Sequence, residues 1–161
     1  MLNRFTCLSA ATGLLGLFAT SVLAQEGMIL QVSADGGAQQ TDLNLEALDA
    51  LPQVEFTTTT IWTDDPVTFS GVPLSDILEA GDVDGTTLTM TALNDYAVEM
   101  PVAEIGDMYP IIATRMDGQT MSVRDKGPFW VVYPYDSDPD FQTETIYSRS
   151  IWQLNRLSVM D

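Results

Sequence analysis

Residues 129–132 read Phe-Trp-Val-Val, with Gly127-Pro128 just before them and Pro134 just after. A short apolar run of aromatic and β-branched residues between turn signals suits a buried strand. Gly127-Pro128 starts that strand and Pro134 stops it, because proline cannot donate to a sheet ladder. A buried strand has to be flanked by others, so the chain is committed to a sheet. The surrounding stretch, residues 124–136, also gathers Arg124, Lys126, four aromatic rings and Asp136. A simple solvated surface has no use for so many rings and charges together, which makes this stretch the candidate site.

The rest of the chain supplies short segments separated by turn signals. Strands are expected over residues 28–32, 54–62, 67–71, 86–92, 96–100, 109–116 and 120–123, with a last one over 154–159 placed at a sheet edge. Ala34-Asp35-Gly36-Gly37, Asp64-Asp65-Pro66 and Asn94-Asp95 are turns, and Asp117-Gly118 is a hairpin turn. A short helix is expected from Thr41 as N-cap to Leu48, stopped by Leu51-Pro52. A second runs into Gly81 and buries Leu74, Ile77 and Leu78. Residues 101–105 suit one helical turn, and 136–140 form a polar loop. The fold class read from this pattern is α+β, a mainly antiparallel mixed sheet with a few short helices.

Residues 1–24 have the layout of a secretory signal peptide: Arg4 near the start, an apolar run over 5–23, and Val22-Leu23-Ala24 for cleavage. The expectation is a protein exported to the periplasm, with one domain over residues 25–161. A retained membrane anchor competes with this, although the run is on the short side for a span. Cys7 is the only cysteine and histidine is absent. After cleavage no disulfide, no zinc or iron–sulfur site of Cys/His type and no histidine acid–base chemistry remains.

The chain carries 23 acidic against six basic residues, a net charge of −17. A field of that sign opposes nucleic acid and anionic lipid as partners, so no direct membrane binding is expected after cleavage. No Lys or Arg occurs between Gln25 and Pro110. The basic residues that follow are Arg115, Arg124, Lys126, Arg149 and Arg156, which either neutralise carboxylates of the fold or hold an anionic or polar ligand.

Five short motifs occur in a fixed order. They are Gly71-Val72-Pro73-Leu74-Ser75-Asp76-Ile77-Leu78; Ala92-Leu93-Asn94-Asp95-Tyr96 leading to Met100-Pro101; Ile112-Ala113 with Asp117-Gly118-Gln119; Gly127 to Pro134; and Arg149-Ser150-Ile151-Trp152-Gln153-Leu154. Together, over residues 53–159, the series resembles the oxidoreductase molybdopterin-binding domain of the sulfite oxidase fold. That resemblance implies a mixed α and β domain holding a pterin and, in the family's enzymes, a molybdenum bonded to a cysteine thiolate. The segment where that cysteine is expected instead reads Thr57-Thr58-Thr59-Thr60. A threonine hydroxyl is a hard, normally protonated oxygen and does not replace a soft thiolate.

The chain therefore looks most like the small secreted members of the fold that bind pterins without metal, the PruR type. This resemblance implies a pterin ligand and, as partner, the periplasmic domain of a membrane-bound cyclic di-GMP enzyme. The alternative is a molybdopterin-dependent oxidoreductase or its subunit. A pterin calls for stacking rings and a carboxylate accepting two N–H bonds. Trp130, Tyr133, Tyr135 and Asp136 are the residues expected to supply them, with Arg124, Lys126, Arg115, Arg149 and Tyr96 around the ligand. Each has a plainer role open to it: Trp130 and Trp62 as core, Asp136 as a turn residue, the cations as ion-pair partners.

Overall fold

The computed structural model describes residues 28–161, so the expected leader at residues 1–24 lies outside the described residues. The strands are β1 (Ile29–Ala34), β2 (Gln39–Asn44), β3 (Val54–Thr58), β4 (Val67–Pro73), β5 (Thr87–Ala92), β6 (Ala97–Pro101), β7 (Ile111–Met116), β8 (Gln119–Thr120), β9 (Trp130–Val132) and β10 (Leu154–Met160). They form two sheets. One has the order β2-β1-β10-β5-β6, and the other runs β3-β4-β7-β8 with β9 also paired to β7. All the pairings are antiparallel except β1 with β10. With three short helices, α1 (Leu45–Asp49), α2 (Leu74–Ala80) and α3 (Glu144–Arg149), the class is α+β with a mainly antiparallel mixed sheet.

Period-two alternation places Leu30 and Val32, Leu157 and Val159, and Leu88 and Met90 inward from the first sheet. Phe69, Ile111 and Ile112 meet them from the second. As the run of four apolar residues requires, β9 is buried along its length. A bridge between Phe129 and Leu154 and an N–H bond from Val131 to the Ile151 carbonyl, at 2.9 Å, tie β9 to the segment entering β10. Where β4 crosses β7, any side chain at Gly71 would run into the Ile112 carbonyl, so only glycine lets the two strands approach.

Four expectations are corrected. The last strand is not an edge: β10 is the middle strand of its sheet, between β1 and β5. Thr41 does not cap a helix, because β2 continues to Asn44, whose Oδ1 accepts the Ala47 N–H at 2.8 Å and starts α1 there. The strand expected over 54–62 stops at Thr58, which frees residues 59–66 as a loop. The strand expected over 120–123 ends at Thr120, and Val123 enters a 3-10 turn, Val123–Asp125.

Candidate functional site

A cleft of about 330 Å³ opens where the connections β3–β4, β5–β6 and α3–β10 meet, lined by Trp62, Ala92, Asn94, Tyr96 and residues 147–148 and 150–153. The β3–β4 loop brings Trp62, whose N–H is accepted by Thr60 Oγ1 at 3.0 Å. The β5–β6 turn brings Asn94 and Tyr96. Asp95 takes a left-handed conformation there, with φ 62°, and Asn94 Oδ1 accepts the Tyr96 N–H at 3.2 Å. Tyr147 comes from α3, which Thr143 caps by accepting the Ile146 N–H. Trp152 comes from the turn before β10, where Gln153 (φ 55°) accepts from Leu93 N–H and donates its own N–H to the Lys126 carbonyl. Trp62 is the hub of the aromatic wall, with ring centroids 5.8 Å from those of Trp130, Tyr147 and Trp152.

The rings singled out from the sequence lie behind this wall. Trp130 is fully buried and donates from Nε1 to the Ser150 carbonyl at 3.1 Å. The Tyr135 hydroxyl donates to Ser150 Oγ at 2.7 Å, and Ser150 Oγ donates to the Ile146 carbonyl. Tyr133 is equally buried, yet its hydroxyl has no partner among the described residues. Burial pushes the Tyr133 phenol up to about 12 and raises that of Tyr135 as well.

Asp136 lies on the surface beyond the cleft lining, and its carboxylate accepts from both Thr59 N–H and Thr59 Oγ1 at 2.6 Å. Those bonds hold its carboxyl below the usual range. It fastens the end of β3 to the segment after β9. Arg115 forms a two-point pair with Asp49, at 2.6 and 2.8 Å, which raises the guanidinium and lowers the carboxyl. Arg149 pairs with Glu104 at 2.6 Å. Arg124 is exposed in the 3-10 turn. Lys126 Nζ sits 5.2 and 5.5 Å from the ring centroids of Trp152 and Trp130, so it borders the cleft. Of the residues proposed from sequence, Tyr96 lines the cleft directly and Lys126 flanks it.

Trp62 packs against the core as expected and also lines the cleft, and Asn94, Tyr147 and Trp152 join it there without having been expected as ligand contacts. One signal was available: large rings beside turn residues, at Trp62 and Trp152, are poorly placed for full burial. Chemically the cleft offers flat apolar faces edged by the amide of Asn94, while the Gln153 amide donates to the Val123 carbonyl and the Ser148 hydroxyl to the Thr145 carbonyl. That suits the edge and faces of a planar heteroaromatic.

A thiolate-held molybdenum does not fit the residues present. Thr57 shares a hydrogen bond with Thr68 and Thr60 with Thr63, Thr58 Oγ1 accepts from Asp136 N–H, and Thr59 donates to Asp136, so all four hydroxyls are engaged within the chain. Among the described residues no group of three His, Cys, Asp or Glu is arranged to hold a metal ion.

The chain is similar to the sulfane dehydrogenase SoxCD from Paracoccus pantotrophus, with a TM-score of 0.64 and 16% identity, over 85% of this chain and 39% of that one. It thus spans about two fifths of the length of that protein. The likeness is one of fold: the chain shares the arrangement of sheets and short helices of that neighbour, in keeping with the α+β class expected from the sequence. No protein-family model and no curated protein matches the chain.

Proposed function

We propose that this protein binds a pterin in the aromatic cleft, catalyses no reaction on it, and acts through a protein partner. The observation that carries the reading is the cleft, whose walls are Trp62, Tyr96, Tyr147 and Trp152 with amide-bearing Asn94 and Gln153 at the edge. A pterin is a flat bicycle with an amide edge and a 2-amino group, and it is matched by ring faces and side-chain amides rather than by a nucleophile and a base. The carboxylate expected to read the amino edge, Asp136, is committed to Thr59 on both oxygens, so the acceptor at that edge is Asn94 Oδ1, which has one lone pair left beyond the Tyr96 N–H.

The partner is the periplasmic domain of a membrane-bound cyclic di-GMP enzyme, following the PruR-type resemblance, and the protein reaches it after export. A liganded cleft that fits this partner better than an empty one transmits the signal. The acidic surface favours a basic patch on the partner. The competing reading, a molybdopterin-dependent oxidoreductase or its subunit, draws on the fold shared with a sulfane dehydrogenase. Metal analysis of protein purified from its native compartment separates the two: stoichiometric molybdenum would establish the enzyme.

The direct test is titration of purified protein with oxidised and reduced pterins, followed by tryptophan quenching. Binding at micromolar pterin is expected. Trp152→Ala and Tyr96→Ala, at rings 39% and 56% exposed, should each weaken it about tenfold, since stacking of a base on an aromatic ring contributes about 1–3 kcal/mol. The melting temperature should barely move in Tyr96→Ala, while Trp152→Ala, which also gives up edge contacts with Trp62 and Trp130, should lose a few degrees. No quenching up to about 1 mM pterin, a binding free energy of only about −4 kcal/mol, overturns the reading.

A further inference from the structure

We infer that the ligand carries an anionic substituent and that Lys126 selects it, an inference that rests on the pterin reading of the cleft. Cations are scarce in this chain, six against 23 acidic residues. Two that were candidates for the ligand are spent elsewhere, Arg115 on Asp49 and Arg149 on Glu104, each at 2.6 Å. Lys126 differs from both. Its ammonium rests against the indoles of Trp152 and Trp130, at 5.2 and 5.5 Å from their centroids, and meets no carboxylate within 4 Å among the described residues.

The placement follows from the backbone. Lys126 closes the 3-10 turn in a left-handed conformation, φ 72°, and its carbonyl accepts the N–H of Gln153, itself part of the cleft lining. Gly127, which follows, has no room for a side chain against the Met121 carbonyl, so the chain is pinned on both sides of the lysine. The nearby carboxylate of Asp125 is turned to Ser122 Oγ at 2.8 Å rather than to the ammonium.

An ammonium against two indole faces is held by the ring quadrupoles without being neutralised. It keeps its donors for an oxyanion, and as a compact point charge it takes a carboxylate or a phosphate equally well. The field of a chain at −17 disfavours any anion approaching from solvent. Discrimination in favour of an anionic ligand therefore requires a cation fixed at the cleft, and Lys126 is in place to provide it. A ring stacked on Trp152 brings a substituent on its edge toward Nζ. The unsubstituted pterin ring is neutral near pH 7 and leaves the ammonium unmatched.

Two probe pairs test this, pterin against pterin-6-carboxylate and neopterin against its phosphate monoester, titrated into the wild type, Lys126→Met and Lys126→Arg. The expected result is that the wild type binds at least one anionic member about tenfold tighter than its neutral counterpart. That preference should disappear in Lys126→Met, return in Lys126→Arg, and shrink with added salt. Which pair shows it assigns the anion as carboxylate or phosphate. Equal affinity for both members of both pairs in the wild type, or a preference kept by Lys126→Met, overturns the role of Lys126 while leaving the pterin cleft standing. Absence of binding by all four probes overturns the cleft reading itself.

Discussion

Tyr133 and Tyr135 flank Pro134 with ring centroids 6.4 Å apart, both almost wholly buried, yet only Tyr135 has its hydroxyl satisfied. Removing the Tyr135 hydroxyl breaks its bond to Ser150, so Tyr135→Phe is expected to cost about 1 kcal/mol in chemical denaturation. Tyr133→Phe deletes a hydroxyl that is desolvated without compensation, and the expected change is between neutral and about 1 kcal/mol stabilising. Both phenols are raised by burial, so both couple stability to alkaline pH. Burial raises the Tyr133 phenol from 10 to about 12. The fold thus favours its neutral form, and that contribution is complete below about pH 10 and lost as pH climbs through about 12. Tyr133→Phe should therefore flatten part of the alkaline loss of stability, which a denaturation series from pH 8 to 12 would measure. These rings also mark how far the site is legible in sequence. Spacing across Pro134 shows that the two tyrosines share a side, but not whether that side faces solvent or core. The cleft rings, half-buried Trp62 and exposed Trp152, lie far apart in sequence and become neighbours only through the loops of two sheets.

At the level of elements, β10 reads as an edge in sequence for a physical reason. Leu157 and Val159 alternate with Arg156 and Ser158, the pattern of a strand with one solvated face, and alternation says nothing about how many neighbours flank it. Its parallel partner, β1, comes from the opposite end of the described chain, a pairing no local signal encodes. The short antiparallel neighbours are a different matter. The Asn94-Asp95 and Asp117-Gly118 turns announce the β5–β6 and β7–β8 pairs, and Gly127-Pro128 and Pro134 bound β9. Thr41 is ambiguous in sequence because threonine suits both a cap and a strand, and its pairing opposite Val32 decides for the strand. A central β10 makes a testable contrast. Leu157, registered between Val32 and Met90 and fully buried, should cost about 2–5 kcal/mol as Leu157→Ala. Arg156→Ala, on the exposed face one residue away, should stay within about 0.5 kcal/mol. Equal small effects in urea titrations would mean that β10 is peripheral after all.

For the molecule as a whole, charge is the one large effect that local structure leaves uncompensated. The described residues contain ion pairs at Arg115–Asp49 and Arg149–Glu104, and both involve side chains that are partly exposed. Such pairs contribute about 0–1 kcal/mol each. Repulsion among 23 carboxylates acts across the entire surface and is relieved only by counter-ions. At about 0.1 M salt the screening length is about 10 Å, shorter than most separations across a domain of this size, so repulsion between distant acids fades while contacts at 2.6 Å persist. Stability should therefore rise with salt. Raising sodium chloride from about 0.01 to 0.2 M is expected to lift the melting temperature by about 3–5 °C, equivalent to about 1 kcal/mol. The same salt screens the contact with Lys126, so the preference for an anionic pterin over its neutral counterpart should shrink as the melting temperature rises across one titration. A melting temperature that falls with salt would show that the two ion pairs outweigh the repulsion of the surface, and would remove the reason for an anionic ligand to need a dedicated cation.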